Sequence, residues 1–162
     1  MKPKMDMEAR GHSEHTEALR LWLRMLTLTQ LVEKQVRSQL REQFETTLPR
    51  FDLMAQLERN PDGLKMNELS RRMMVTGGNV TGITDQLVAE GLVERIGVEG
   101  DRRACRVRLT PPGRKQFAEM AHQHESWIVA AFESLSPREL ESLHALLGKV
   151  KQHYNNPLLE TA

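Results

Sequence analysis

Residues 99–113 read EGDRRACRVRLTPPG, placing four arginines within seven positions beside Asp101 and closing on Leu-Thr-Pro-Pro-Gly. Alternation in the second half sends Cys105, Val107 and Leu109 to one side of a strand and Arg106 and Arg108 to the other. Residues 92–98, LVERIGV, alternate in the same way. The two runs predict a hairpin whose loop is 99–104, with arginines at its tip and along one exposed face. Arg102 and Arg103 on such a loop suit a minor groove, where negative potential is concentrated, and Asp101 can steady one guanidinium.

The positive charge is local. The chain of 162 residues has 23 basic and 22 acidic side chains, but between residues 65 and 115 ten Lys or Arg stand against six Asp or Glu. A basic segment in an acidic remainder points to one face that meets a polyanion. With 39% apolar and 28% charged residues, the chain has the composition of an ordinary globular domain able to bury a core. The single cysteine, Cys105, excludes an internal disulfide framework, and no apolar run approaches the roughly 20 residues that span a bilayer. The start, MKPKMDMEARGHSEH, has no apolar signal-peptide core, so a cytoplasmic protein without membrane association is expected.

Immediately upstream lies a helical pair. Phe51, Leu53, Met54 and Leu57 predict a short helix, and Asn60-Pro61-Asp62-Gly63 is a strong turn signal. Leu64-Lys65-Met66 is of strand length, and Asn67 is placed to cap a helix through Leu69 and Met73. A second helix is predicted over 76–90 with Gly91 as its left-handed stop, joined to the first by Met74-Val75-Thr76. On it Val80, Ile83 and Leu87 share one face, leaving Gly78, Asn79, Thr81, Gly82, Asp85 and Gln86 to point elsewhere. Small polar residues let a helix approach a duplex closely and bond base edges or phosphates. Gly77, Gly78 and Gly82 each weaken a helix by up to about 1 kcal/mol, a cost that close approach explains.

Both ends of the chain carry surplus apolar helix surface. Residues 16–45 contain no Pro or Gly, and Leu19, Leu21, Trp22, Leu23, Met25, Leu26, Leu28 and Leu31 cover most of the helical circumference before Val36, Leu40 and Phe44 narrow to one stripe. At the other end Ser136-Pro137-Arg138-Glu139 is a capping box opening a helix along Leu140, Leu143, Leu147, Val150 and Tyr154. A helix apolar on nearly every side requires a partner surface, and a homodimer is the simplest one.

Helix, helix-turn-helix, basic hairpin and terminal helices together resemble the MarR family of bacterial winged-helix transcription regulators. The family's wing signature, Asp-x-Arg-x5-Leu-Thr, is met by Asp101, Arg103, Leu109 and Thr110, with Gly113 following, and LSRRMMVTGGNVTGITDQLVAEGLVER (69–95) is similar to its helix-turn-helix and recognition helix. The resemblance implies a mainly α fold with a small β-hairpin wing: an N-terminal dimerisation helix in 1–48, a winged helix-turn-helix in 49–112 and C-terminal dimerisation helices in 113–162. It implies that Thr76, Gly78, Asn79 and Thr81 lie near DNA, that Ser70 and Arg72 approach phosphates, and that Asp101, Arg102 and Arg103 serve the wing. Gly82 and Gln86 stand where many relatives carry Arg or Lys, which shifts weight from base readout to shape readout.

Such regulators act as dimers on a pseudo-palindromic operator in double-stranded DNA, commonly as repressors released by an aromatic acid or a derivative. The resemblance places the effector between dimerisation helices and DNA-binding module, with Trp22, Met25, Met54 and Trp127 as lining candidates, although such a stripe is also what plain core looks like. The wording of 75–95 is particularly similar to regulators of aromatic-compound degradation, some of which sense coenzyme A thioesters. Arg20, Arg24, Lys34, Arg37 and Arg41 are the candidates for thioester phosphates.

Enzyme chemistry is not expected. Residues 77–82, GGNVTG, lack the strand and the Gly-Lys-Ser/Thr ending of a phosphate loop. His122 with His124, and His12 with His15, lack a metal-ligand spacing, and neither cofactor nor metal is implied. Few aromatics flank the basic hairpin, which disfavours single-stranded nucleic acid. Two alternatives remain: redox sensing through Cys105 near Arg102, Arg103 and Arg106, and a winged-helix protein-binding module without DNA affinity.

Overall fold

The computed structural model describes residues 16–73 and 80–155, with 102–104 as backbone only. The element order is α1 (Thr16–Phe44), α2 (Leu48–Glu58), β1 (Leu64–Lys65), α3 (Met66–Arg72), α4 (Val80–Ala89), β2 (Val93–Val98), β3 (Asp101–Leu109), α5 (Pro111–Ala131) and α6 (Pro137–Tyr154). The contacts divide the chain into two units, Met1–His124 and Glu125–Ala162, and α5 runs across the division. Among the described residues no helix is long and apolar enough to cross a membrane.

In the first unit the core is built from Leu40 of α1, Leu53, Met54 and Leu57 of α2, Leu69 of α3, Leu87 of α4, Val93, Val107 and Leu109 of the sheet, and Met120 of α5. Phe51 stacks against Phe117 and His124 at ring separations of 5.4 and 4.9 Å, tying α2 to α5. The α1 stripe is as expected: Val36 and Leu40 are buried, while Leu19, Leu21, Trp22, Leu28 and Leu31 are exposed. α1 stops through Glu45, which takes a left-handed φ of 50°, with Glu45 N–H donating to the Arg41 carbonyl and Thr46 N–H to that of Leu40. The Glu45–Arg41 bond is the simple left-handed helix ending, made here without glycine.

Three antiparallel strands lie in the order β1-β3-β2. The short β1 finds its partner in the middle of β3, Leu64 opposite Val107 and Lys65 opposite Arg106. Gly63 before it has φ +85°, and a Cβ there would lie 2.8 Å from the Val107 carbonyl oxygen, so only glycine fits. The expected loop over 99–104 is shorter: β3 already begins at Asp101, opposite Val98, because Gly100 at φ +83° allows Glu99-Gly100 to reverse the chain alone. Arg102 and Arg103 are therefore strand residues by backbone. They lie where the register shifts between the Gly97–Cys105 and Val98–Asp101 pairs.

Two further readings change. The helix expected to start at Asn67 begins at Met66, its first turn closed by Lys65 N–H donating to Glu68 Oε2 at 2.9 Å. On α4 the buried positions are Thr84 and Leu87, with Val80 and Ile83 half-buried. The Thr84 hydroxyl reaches back to the Val80 carbonyl at 2.7 Å, which is how a hydroxyl enters the core satisfied. Gly91 at φ +73° ends α4 as expected, and Leu92 N–H bonds the Leu87 carbonyl.

In the second unit α6 starts on the expected capping box: Ser136 N–H donates to Glu139 Oε2 at 2.8 Å and Glu139 N–H to Ser136 Oγ at 3.4 Å. An open apolar groove of about 740 Å³, lined by Ile128, Val129, Phe132, Leu140, Leu143 and Leu147 among others, runs along this unit. α6 has no buried residue.

Candidate nucleic-acid interface

The helix pair and the hairpin belong to the same unit and share one core, so α3, α4 and the wing strands are fixed together by Leu69, Leu87, Val93 and Val107. What they leave outside is polar. Ser70, Arg71 and Arg72 on α3 are exposed, as are Thr81, Asp85 and Gln86 on α4, and Gly82 is half-buried. Thr76, Gly78 and Asn79, with the 74–76 connection, lie outside the described residues. Asp101 is exposed at the start of β3.

The arginines are not equivalent. Arg95 of β2 donates to Asp85 Oδ1 at 2.5 Å, holding the wing strand to α4. Arg108 Nε donates to Glu94 Oε1 at 2.6 Å across the β2–β3 ladder, where the two residues are direct partners. Arg50 of α2 pairs with Glu90 at the end of α4. Arg72 Nη1 donates to Asn60 Oδ1 at 3.0 Å, and Arg106 Nη1 to the Gly63 carbonyl at 3.1 Å. The Glu94–Arg108 pair follows from the observed register, which the expected loop over 99–104 would have shifted by one residue. The Asp85–Arg95 pair was not readable from the sequence, because it joins a helix to a strand that no local pattern aligns.

The LTPPG closure is a joint. Thr110 Oγ1 donates to the Gly91 carbonyl at 2.6 Å and accepts from Gly113 N–H at 3.1 Å, while Thr110 N–H bonds the Leu92 carbonyl at 3.1 Å. Thr110 caps α5, whose first two positions are prolines that need no N–H partner. A Cβ on Gly113 would stand 1.9 Å from the Leu92 carbonyl oxygen. The end of α4, the root of the wing and the start of α5 are locked by four residues.

The candidate effector residues fall in different surroundings. Met54 is sealed in the core, Met25 is half-buried, Trp22 is exposed on α1, and Trp127 is buried in the second unit. Cys105, which the alternation puts on the same side as Val107 and Leu109, is half-buried on β3 opposite Gly97.

A helix pair, a three-stranded sheet with a projecting hairpin and an exposed polar face on the second helix define a winged helix-turn-helix, the module of DNA-binding regulators. The sequence pattern of the MarR family matches residues 45–104, from the end of α1 into β3. A MarR family transcriptional regulator from Silicibacter pomeroyi is 30% identical, with a TM-score of 0.75 over 89% of this chain and 99% of its own. The chain therefore belongs to the MarR family of transcriptional regulators, and it is not an enzyme. The HTH-type transcriptional regulator PecS of Dickeya dadantii is 29% identical over 108 residues, 65% of each chain, so the match spans just under two thirds of that relative. A cysteine-to-serine mutant of MarR from Escherichia coli, crystallised with operator DNA, has the same fold at a TM-score of 0.70 and 23% identity, covering 86% of this chain and 99% of its own.

Proposed function

We propose that this chain is a ligand-responsive repressor that binds a pseudo-palindromic operator as a homodimer and is released by a small aromatic acid or its coenzyme A thioester. One observation carries the DNA part: α3, α4 and the hairpin are locked in one core with Ser70, Arg72, Thr81 and Gln86 turned outward. The operator complex of the similarly folded Escherichia coli protein supports the same reading. Two recognition helices must stand about 34 to 36 Å apart to meet successive major grooves, so a ligand that favours another spacing lowers affinity by its differential binding. The effector class rests on the likeness of residues 75–95 to regulators of aromatic-compound degradation.

The test is fluorescence anisotropy on the intergenic duplex beside the chain's own gene, with a scrambled duplex as control, across a salt series. Selective binding that weakens steeply between 50 and 200 mM salt is expected. Thr81→Ala should relax discrimination between the duplexes by about 1 kcal/mol or more, leaving the salt slope unchanged. Salt-insensitive, unselective behaviour would favour the protein-binding module instead. Aromatic acids and their thioesters are then screened for release. Because Cys105 is half-buried rather than sealed, oxidant release is the second reading, and loss of peroxide-induced release in Cys105→Ser would establish it.

A further inference from the structure

The outer face of the sheet holds an arrangement that the winged-helix reading leaves unused. Leu64 and Val107 are buried partners, so the neighbouring pair, Lys65 and Arg106, takes the opposite face. Two cations set directly opposite each other in an antiparallel ladder repel and lower stability. Arg106 is aimed by the Gly63 carbonyl, and Arg72 by the Asn60 side-chain oxygen. Those acceptors stand at the two ends of one turn, closed by Gly63 N–H bonding the Asn60 carbonyl at 2.8 Å. Both guanidinium groups are thus positioned by neutral oxygens, whereas Arg95 and Arg108 donate directly to carboxylates.

One acid sits among the three cations. Glu68 accepts the Lys65 N–H, and that bond, assisted by the charges of Arg106, Arg72 and Lys65, holds its carboxyl below the usual range. It offsets one of three positive charges. All three cationic side chains are at least partly open to solvent. An open surface gives a small anion little to bind, whereas a polyanion gains from releasing its condensed counterions.

We propose that Lys65, Arg106 and Arg72 form a phosphate-contact patch for duplex DNA, which extends the footprint from α3 and the wing onto β1. It rests on the DNA-binding reading above and adds Lys65 and Arg106 to the interface. Glu68 offsets part of the repulsion among the three cations, and a covering polyanion offsets the rest.

The same anisotropy titration tests it, on the intergenic and scrambled duplexes. Lys65→Gln and Arg106→Gln should each flatten the slope of log affinity against log salt by about 2, one contact from each protomer of the bound dimer, and weaken both duplexes several-fold alike. Arg106→Lys should keep the slope. The melting temperature of Lys65→Gln should be unchanged or higher, since it relieves the facing charges without breaking the Arg106–Gly63 bond. Folded Lys65→Gln protein with the wild-type slope would overturn the patch, as would a loss confined to the intergenic duplex. Wild-type protein that binds neither duplex would overturn the DNA reading, and the patch with it.

Discussion

At the scale of single residues, the positions that matter most are ones where a side chain is forbidden or misplaced. Gly113 is the sharpest case. Alanine there puts a methyl carbon inside the Leu92 carbonyl, a backbone atom that cannot swing away. Gly113→Ala should cost at least about 2 kcal/mol, seen as a lowered urea midpoint. Glu45 is the converse, a non-glycine held at φ 50°. Glu45→Gly should gain roughly 0.5 kcal/mol, because relief of the left-handed strain exceeds the added freedom of the unfolded chain. Asp52 is half-buried on α2, and desolvation, against the opposing pull of Arg37 and with help from Glu33, raises its pKa. A carboxyl raised on folding binds its proton more tightly in the native state, so its contribution is full below the unfolded pKa, near 4, and is lost as pH rises through the folded value. Asp52→Asn should therefore melt higher than wild type at pH 7, with the advantage shrinking toward pH 4. The sequence marked Gly113 through family likeness, but its reason, the Leu92 carbonyl, lies 21 residues upstream in the chain. Ser136 with Glu139 was legible because both partners of the cap lie within one turn.

At the scale of elements, periodicity disclosed what neighbours in sequence build together. The alternation of 92–98 and 105–109 announced the hairpin, and the apolar spacing of α1, α2 and α6 announced their helices. The partner of β1 was hidden, since a two-residue strand has no period of its own and is defined by pairing with β3 some 40 residues on. The wing arginines were expected in a loop because a six-residue polar stretch reads as one; the left-handed Gly100 lets two residues make the turn. The Asp85–Arg95 bridge also belongs to this scale, fastening α4 to β2 with both side chains partly open to solvent. Its loss should change stability by less than about 1 kcal/mol. Its effect on DNA should be larger. Asp85→Asn removes a negative charge from the outward face of α4 and releases the Arg95 guanidinium to the polyanion. Scrambled duplex should then bind more tightly with a steeper salt slope, because the gained attraction is to phosphates and independent of sequence.

At the scale of the whole molecule, a single chain leaves much apolar helix surface uncovered. The first half of α1 exposes Leu19, Leu21, Trp22, Leu28 and Leu31, and α6 exposes Leu140, Leu146, Leu147, Val150 and Tyr154. Apolar rows of this extent on a single chain mark association sites rather than scattered surface residues. A second copy is the occupant proposed above, since a two-fold dimer would present two recognition helices to a two-fold operator. The groove along the second unit has the apolar lining that such an association buries. Leu31 and Leu146 are each more than 60% exposed in the single chain. If these helices faced only water, glutamate at either position would be neutral. If they face a partner, Leu31→Glu and Leu146→Glu should each bury a charge and weaken dimerisation at least about tenfold, roughly 1.4 kcal/mol, in sedimentation equilibrium. The same variants should bind a two-site operator much more weakly than wild type yet match it on a half-site duplex, because only the two-site duplex gains from a linked second module. Wild-type dimer affinity in both variants would show that these faces are solvated and that two-site binding has another origin.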